Sequence, residues 1–140
     1  MSAGTGVRHS EFNPSKSEEV HFFQIWIEPA TTGTKPSYEQ LAFPPEEKRN
    51  RLKQLAGAAG GEGIARINQD AKVFVADLSQ GAEISYSLDP KRAAWVHAVR
   101  GDVNGHVLQT SDAAAVTGEG HLALAGGYEP SSELLLFDLG

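Results

Sequence analysis

Five histidines, His9, His21, His97, His106 and His121, give this chain its widest chemical range, and no cysteine accompanies them. Without thiolates, a transition-metal site must draw on imidazole and carboxylate ligands. One local pair has the spacing for it. In His9-Ser10-Glu11 the first and third side chains of an extended segment point to one side. An imidazole nitrogen and a carboxylate oxygen can therefore reach one ion. Two ligands alone make a weak, solvent-open site, and the same spacing also suits two solvated polar residues in a loop. Glu119 and His121 form a second acid–histidine pair, at a loop–strand junction that supports a rigid site poorly. His21 alternates with Phe23 and Ile25, and His97 with Trp95 and Val99, so both read as core or edge histidines. His106 follows a turn and reads as exposed.

Other reactive constellations fail. No G-x-S-x-G elbow exists, so a serine hydrolase has no support. The glycine-rich run Gly57-Ala58-Ala59-Gly60-Gly61 lacks the Lys-Ser/Thr of a phosphate-binding loop and follows an expected helix instead of a strand. The basic residues between Lys48 and Lys53 read as a solvated helix face.

The elements that must position these residues fall into three stretches. Residues 1–28 form an N-terminal arm. It ends in Val20-His21-Phe22-Phe23-Gln24-Ile25-Trp26-Ile27, whose β-branched and aromatic content predicts a strand stopped by Pro29. Residues 29–63 read as a linker. Within it, Pro44 and Pro45, then Glu46 and Glu47, then Lys48 to Lys53 predict a helix near 44–56 with Leu52 and Leu55 on its apolar stripe and Gly57 at its end. From Ile64 onward, short strands are expected at 64–68, 71–78, 82–88, 93–99, 106–109, 112–116, 121–125 and 132–138. Asn104-Gly105 is the strongest turn signal between them, because a type I′ turn wants positive φ at both positions. Many short, closely spaced strands predict an all-β sandwich over 64–140. Its inward positions are expected to include Ile67, Val73, Val75, Ile84, Trp95, Val99, Val116, Leu122, Leu124, Leu135 and Phe137.

The 140 residues suffice for one domain with an appended arm. A hydrophobic fraction of 40% and a charged fraction of 21% exclude a disordered chain. A net charge of −6 argues against a nucleic-acid partner. No apolar run is long enough to span a membrane, and the first residues lack the pattern of a secretion signal. The expected location is the cytoplasm.

Several segments together resemble the pirin-type bicupin family, which includes quercetin 2,3-dioxygenases. They are Met1–Asn13, His21–Ile27, Lys35-Pro36-Ser37-Tyr38-Glu39-Gln40, Ile67-Asn68-Gln69-Asp70, Tyr86-Ser87-Leu88-Asp89-Pro90, Ser111–Val116 and Glu133–Leu139. The resemblance covers nearly the whole chain and corresponds to the end of a first cupin plus the C-terminal cupin. It implies an all-β cupin fold, a double-stranded β-helix or jelly-roll sandwich, with one short helix in the linker. In that family the metal ligands are an H-x-H pair followed by an H-x-E pair. The resemblance implies metal ligation by His9 and Glu11, with Glu11 also the candidate catalytic base. No residues here match the H-x-H pair. In the second cupin, the segment where ligands would be expected, Lys91–His97, carries one histidine, which implies a metal-free cupin.

Three functions follow as expectations. The first is a half-enzyme of dioxygenase type, its site completed by another chain, acting on a small aromatic substrate. The second is a non-catalytic cupin module working through protein contacts. The third is a shortened gene product without activity of its own. The expected cofactor is a weakly held divalent first-row metal (Fe, Ni, Mn or Zn), or none. The expected partner is a second copy, a homodimer formed through the 1–27 arm.

Overall fold

A computed structural model describes residues 1–140. It contains one helical turn, α1 (Pro45–Lys48), and eight strands. These are β1 (Lys53–Gly57), β2 (Ala65–Arg66), β3 (Ala71–Ser79), β4 (Glu83–Ser87), β5 (Ala93–Arg100), β6 (Ala113–Thr117), β7 (His121–Ala125) and β8 (Ser131–Leu139). Six strands form one sheet in the order β2-β1-β3-β8-β5-β6, and β4 pairs with β7 in a second. The expected all-β sandwich with one short helix is what the chain forms. No helix is long and apolar enough to cross a membrane.

The centre of the large sheet is its three longest strands. β8 is antiparallel to both β3 and β5, so Phe74, Leu136 and Val96 stand in one row across the sheet. That row and its neighbours Ala76, Leu134, Ala98 and Leu78 face the small sheet, where Leu122 and Leu124 of β7 close over them. Period-two alternation sends the odd-numbered residues the other way. Val75, Val99 and Leu135 pack on the outer face with Leu55 and Phe137. The principal core therefore has the opposite parity from the one expected for β3, β5 and β8. Leu122 and Leu124 are core as expected, but Trp95 is exposed and Ile67, Ile84, Val116 and Phe137 are half-buried. The strands are apolar on both faces, so alternation alone carried no sign.

The helix expected at 44–56 stops after one turn. Arg49 is extended, and Asn50 takes a left-handed φ of 53°. The Asn50 backbone N–H donates to the Asp77 carbonyl at 2.8 Å, and its side-chain Oδ1 accepts from the Ser79 N–H at 2.8 Å. This clamp onto β3 turns the chain into the edge strand β1. A register shift between Gln54 and Ala56 then leaves Leu55 bulged. Leu52 joins the inner core and Leu55 the outer face, where a helix would have placed them on one stripe.

Two expected strands are absent. Residues 106–109 belong to a loop. Asn104 and Gly105 have the positive φ values that a type I′ turn needs, 54° and 64°, but His106 is also left-handed at 69°. The result is a four-residue loop closed by Val103 and Leu108. Asn104 fastens it to β7, accepting from the Ala125 N–H at 2.7 Å. Residues 20–27 are extended but form no backbone hydrogen bond. They lie against the outer face through side chains, with Phe23 edge-on to His97 at 5.5 Å. Every strand of the large sheet already has its ladder neighbours, so this segment finds packing there without pairing. It is tethered where it ends: the Ala30 N–H donates to the Asn68 carbonyl at 2.7 Å, and Gln69 Nε2 to the Glu28 carbonyl at 2.9 Å.

Candidate functional site

The His9–Glu11 pair sits on the extended part of the arm, and its two side chains do fall on one side. His9 Nε2 lies 2.7 Å from Glu11 Oε1, with both side chains substantially open to solvent. The two atoms that would ligate a metal thus hydrogen-bond each other. No group of three or more His, Cys, Asp or Glu side chains is placed to hold an ion anywhere in the chain. The donors present amount to half of a mononuclear His/carboxylate site and do not complete one.

The remaining histidines are dispersed. His21 is exposed and tilted against Phe23 at 4.9 Å. His97 is half-buried on the outer face, and His121 is exposed at the start of β7, as is Glu119 in the turn before it. The sandwich interior is hydrocarbon, filled by Phe74, Val96, Leu122, Leu124, Leu134 and Leu136. It offers no histidine to a metal, which agrees with the expectation drawn from Lys91–His97.

Two polar clusters were missed by sequence reasoning. At the end of the sandwich, Asp138 is 2% exposed on the inner face of β8. Its Oδ1 accepts from Arg92 Nε, and its Oδ2 accepts from the Tyr86 hydroxyl and from Lys72 Nζ, the last at 3.3 Å. Arg92 also reaches Asp70 through Nη1 at 2.8 Å. Burial alone would raise the Asp138 carboxyl, but the hydrogen bonds from Arg92 and Tyr86 and the charges of Arg92 and Lys72 outweigh it, and the net direction is down. The Tyr86 hydroxyl is pushed up, first by burial and then by donating to Asp138. Arg92 is held protonated, first by Asp70 and then by Asp138. Because Tyr86 belongs to β4 and Asp138 to β8, the cluster clasps the two sheets together. Its members lie far apart in sequence, so no local spacing announces it.

The second cluster is centred on Asp102, which is buried. Its carboxylate accepts the Tyr128 and Glu129 N–H groups at 3.0 Å each, and these hold it below the usual carboxylate range. Gly127 is required here, because a Cβ at that position would meet Asp102 Oδ2 at 2.2 Å. His106 Nδ1 lies 2.7 Å from the same carboxylate, and its ring rests on Tyr128 at 4.5 Å. The four-residue spacing of Asp102 and His106 around Asn104-Gly105 was the available signal. Between the arm and the outer face lies an apolar cleft of about 410 Å³, lined among others by Ile25, Trp26, Trp95, Phe137 and the carboxylate-bearing Asp70.

Comparison with known proteins agrees with this architecture. The family model for the quercetinase C-terminal cupin domain matches residues 54–139, and the pirin family model matches residues 1–27. A quercetin 2,3-dioxygenase of Escherichia coli K12 is 37% identical over 99% of this chain and 59% of its own length. A putative quercetin 2,3-dioxygenase of Pasteurella multocida is 39% identical over the same shares. The chain thus spans about 59% of the length of the curated relatives it matches best. The crystal structure of YhhW from Escherichia coli superposes with a TM-score of 0.73 at 26% identity, covering 82% of this chain and 48% of that one. The nickel(II) complex of the same bacterial pirin gives 0.69 at 26% identity, covering 79% and 47%. The chain belongs to the pirin family, and residues 54–139 are its quercetinase-type C-terminal cupin domain.

Proposed function

We propose that this chain is a cupin module whose own residues stop short of a catalytic metal site, and that His9 and Glu11 are donors to a site completed by groups outside these residues. The observation that carries the reading is the 2.7 Å approach of His9 Nε2 and Glu11 Oε1 on an exposed arm. The pair is preset to one side and lacks only further ligands. Relatives named as quercetin 2,3-dioxygenases and a nickel(II)-bound pirin support a divalent first-row metal, Fe, Ni, Mn or Zn, as the ion and a small aromatic molecule as the substrate class. With two donors, the chain alone holds such an ion weakly and has no dioxygenase activity.

Calorimetric titration of the full chain with Ni(II) tests this. Weak uptake is expected, lost in His9→Ala and retained in His106→Ala. Stoichiometric uptake at submicromolar concentration would show a complete site. Equal loss in the two variants would mark nonspecific surface binding. A second reading, a non-catalytic interaction module, is favoured by the exposed aromatic residues Phe12, Phe22 and Trp26 on the arm.

A further inference from the structure

The arm segment 20–27 presents apolar side chains on both sides, and the sandwich covers one of them. Phe23 packs on His97, while Ile25 and Ile27 line the cleft against the outer face. Phe22, at 60% exposed, and Trp26, at 87%, project the other way. The alternation is that of an extended chain, and none of the backbone N–H or C=O groups of 20–27 is hydrogen-bonded to other backbone. We propose that this face of the arm is the interface between two copies of this chain.

Three observations favour a second copy. The first is area. Val20, Phe22, Phe23, Ile25 and Trp26 together leave roughly 600 Å² of side-chain surface in water, so roughly 1,200 Å² for two copies, the lower bound of a stable interface before Phe12 and backbone are counted. The second is charge. The chain carries a net charge of −6, but residues 20–27 contain no Asp, Glu, Lys or Arg, so two copies can meet there without like-charge repulsion. The third is the unpaired backbone. An extended segment can add antiparallel to its own copy about a two-fold axis, which satisfies both sets of N–H and C=O groups with one patch. The cleft beside Trp95 and Phe137 continues this surface onto the sheet.

Sedimentation equilibrium of the full chain at micromolar concentration, with chelator present, tests the proposal independently of metal binding. A mass twice the 14.9 kDa of the chain is expected. Trp26→Ser and Phe22→Ser should each weaken the dimer about 30-fold. Neither residue belongs to the core, so circular dichroism of the variants should match the parent. A chain that stays monomeric throughout, a dimer unmoved by both variants, or heterogeneous aggregates in place of a defined dimer would each overturn the proposal.

Discussion

The inner and outer faces of the large sheet are built from the same strands and the same residue types, yet only one is a finished core. Across β3, β8 and β5 the inner row is Phe74, Leu136 and Val96, and the next outer row is Val73, Phe137 and Trp95. The inner row is capped by β4 and β7, a second sheet with its own ladder. The outer row is touched by an arm that has no ladder, and Trp95 remains exposed. Strand hydrophobicity makes a face available for burial. The layer laid on it decides how much burial is realised.

The largest effect should separate the faces directly. Leu136 is fully buried and Leu135 lies in the small outer cluster. Leu136→Ala should cost about 4 kcal/mol and Leu135→Ala about 2 kcal/mol, the two ends of the range for buried leucines. Chemical denaturation of both variants checks this. Equal losses would mean that the outer face is covered as completely as the inner one.

The next effect concerns the polar end of the inner face. Asp138 and Asp102 are both held below the ordinary carboxylate value in the folded state. The unfolded chain therefore binds protons more readily. The stability they contribute is present above the unfolded value of about 4 and is lost as pH falls through the lower folded values. The unfolding midpoint should drop below about pH 4, and Asp138→Asn should flatten that drop while costing about 2–3 kcal/mol at neutral pH. An acid limb of unchanged slope in the variant would remove Asp138 from the account.

What the sequence made legible follows the same division. Strands β3 to β8 were found within one or two residues, because tight turns and β-branched runs are local signals. The parity of the core was misread because Glu133-Leu134-Leu135-Leu136-Phe137 is apolar in both phases, and only the position of β7 breaks the tie. The 44–56 helix was misread because the clamp that ends it joins Asn50 to Asp77 and Ser79, a contact the local pattern does not contain. His9 and Glu11 were found because their contact is two residues long. The Asp138 cluster was not, because its partners at 72, 86 and 92 come from three other places in the chain.

The smallest effect isolates the one hydrogen bond that ties the two sheets at that cluster. Tyr86→Phe keeps the ring, and with it the tilted contact to Phe74 at 5.1 Å, so packing of the inner face is retained. Only the hydroxyl that donates to Asp138 is removed. Asp138 keeps Arg92 on one oxygen and Lys72 on the other, so the carboxylate is weakened but not orphaned. A hydrogen bond to a charged group contributes about 1.5–3 kcal/mol, and with two partners remaining the cost should sit at the lower end, about 1.5 kcal/mol at neutral pH. Losing a donor also moves the folded Asp138 value upward, towards its unfolded one, so the acid loss should begin at higher pH than in the parent. Thermal unfolding at neutral pH and across the acid range measures both. A variant equal to the parent in each would show that the small sheet is held by Leu122 and Leu124 alone, and that the inner face owes its completeness to hydrocarbon contact without a polar clasp.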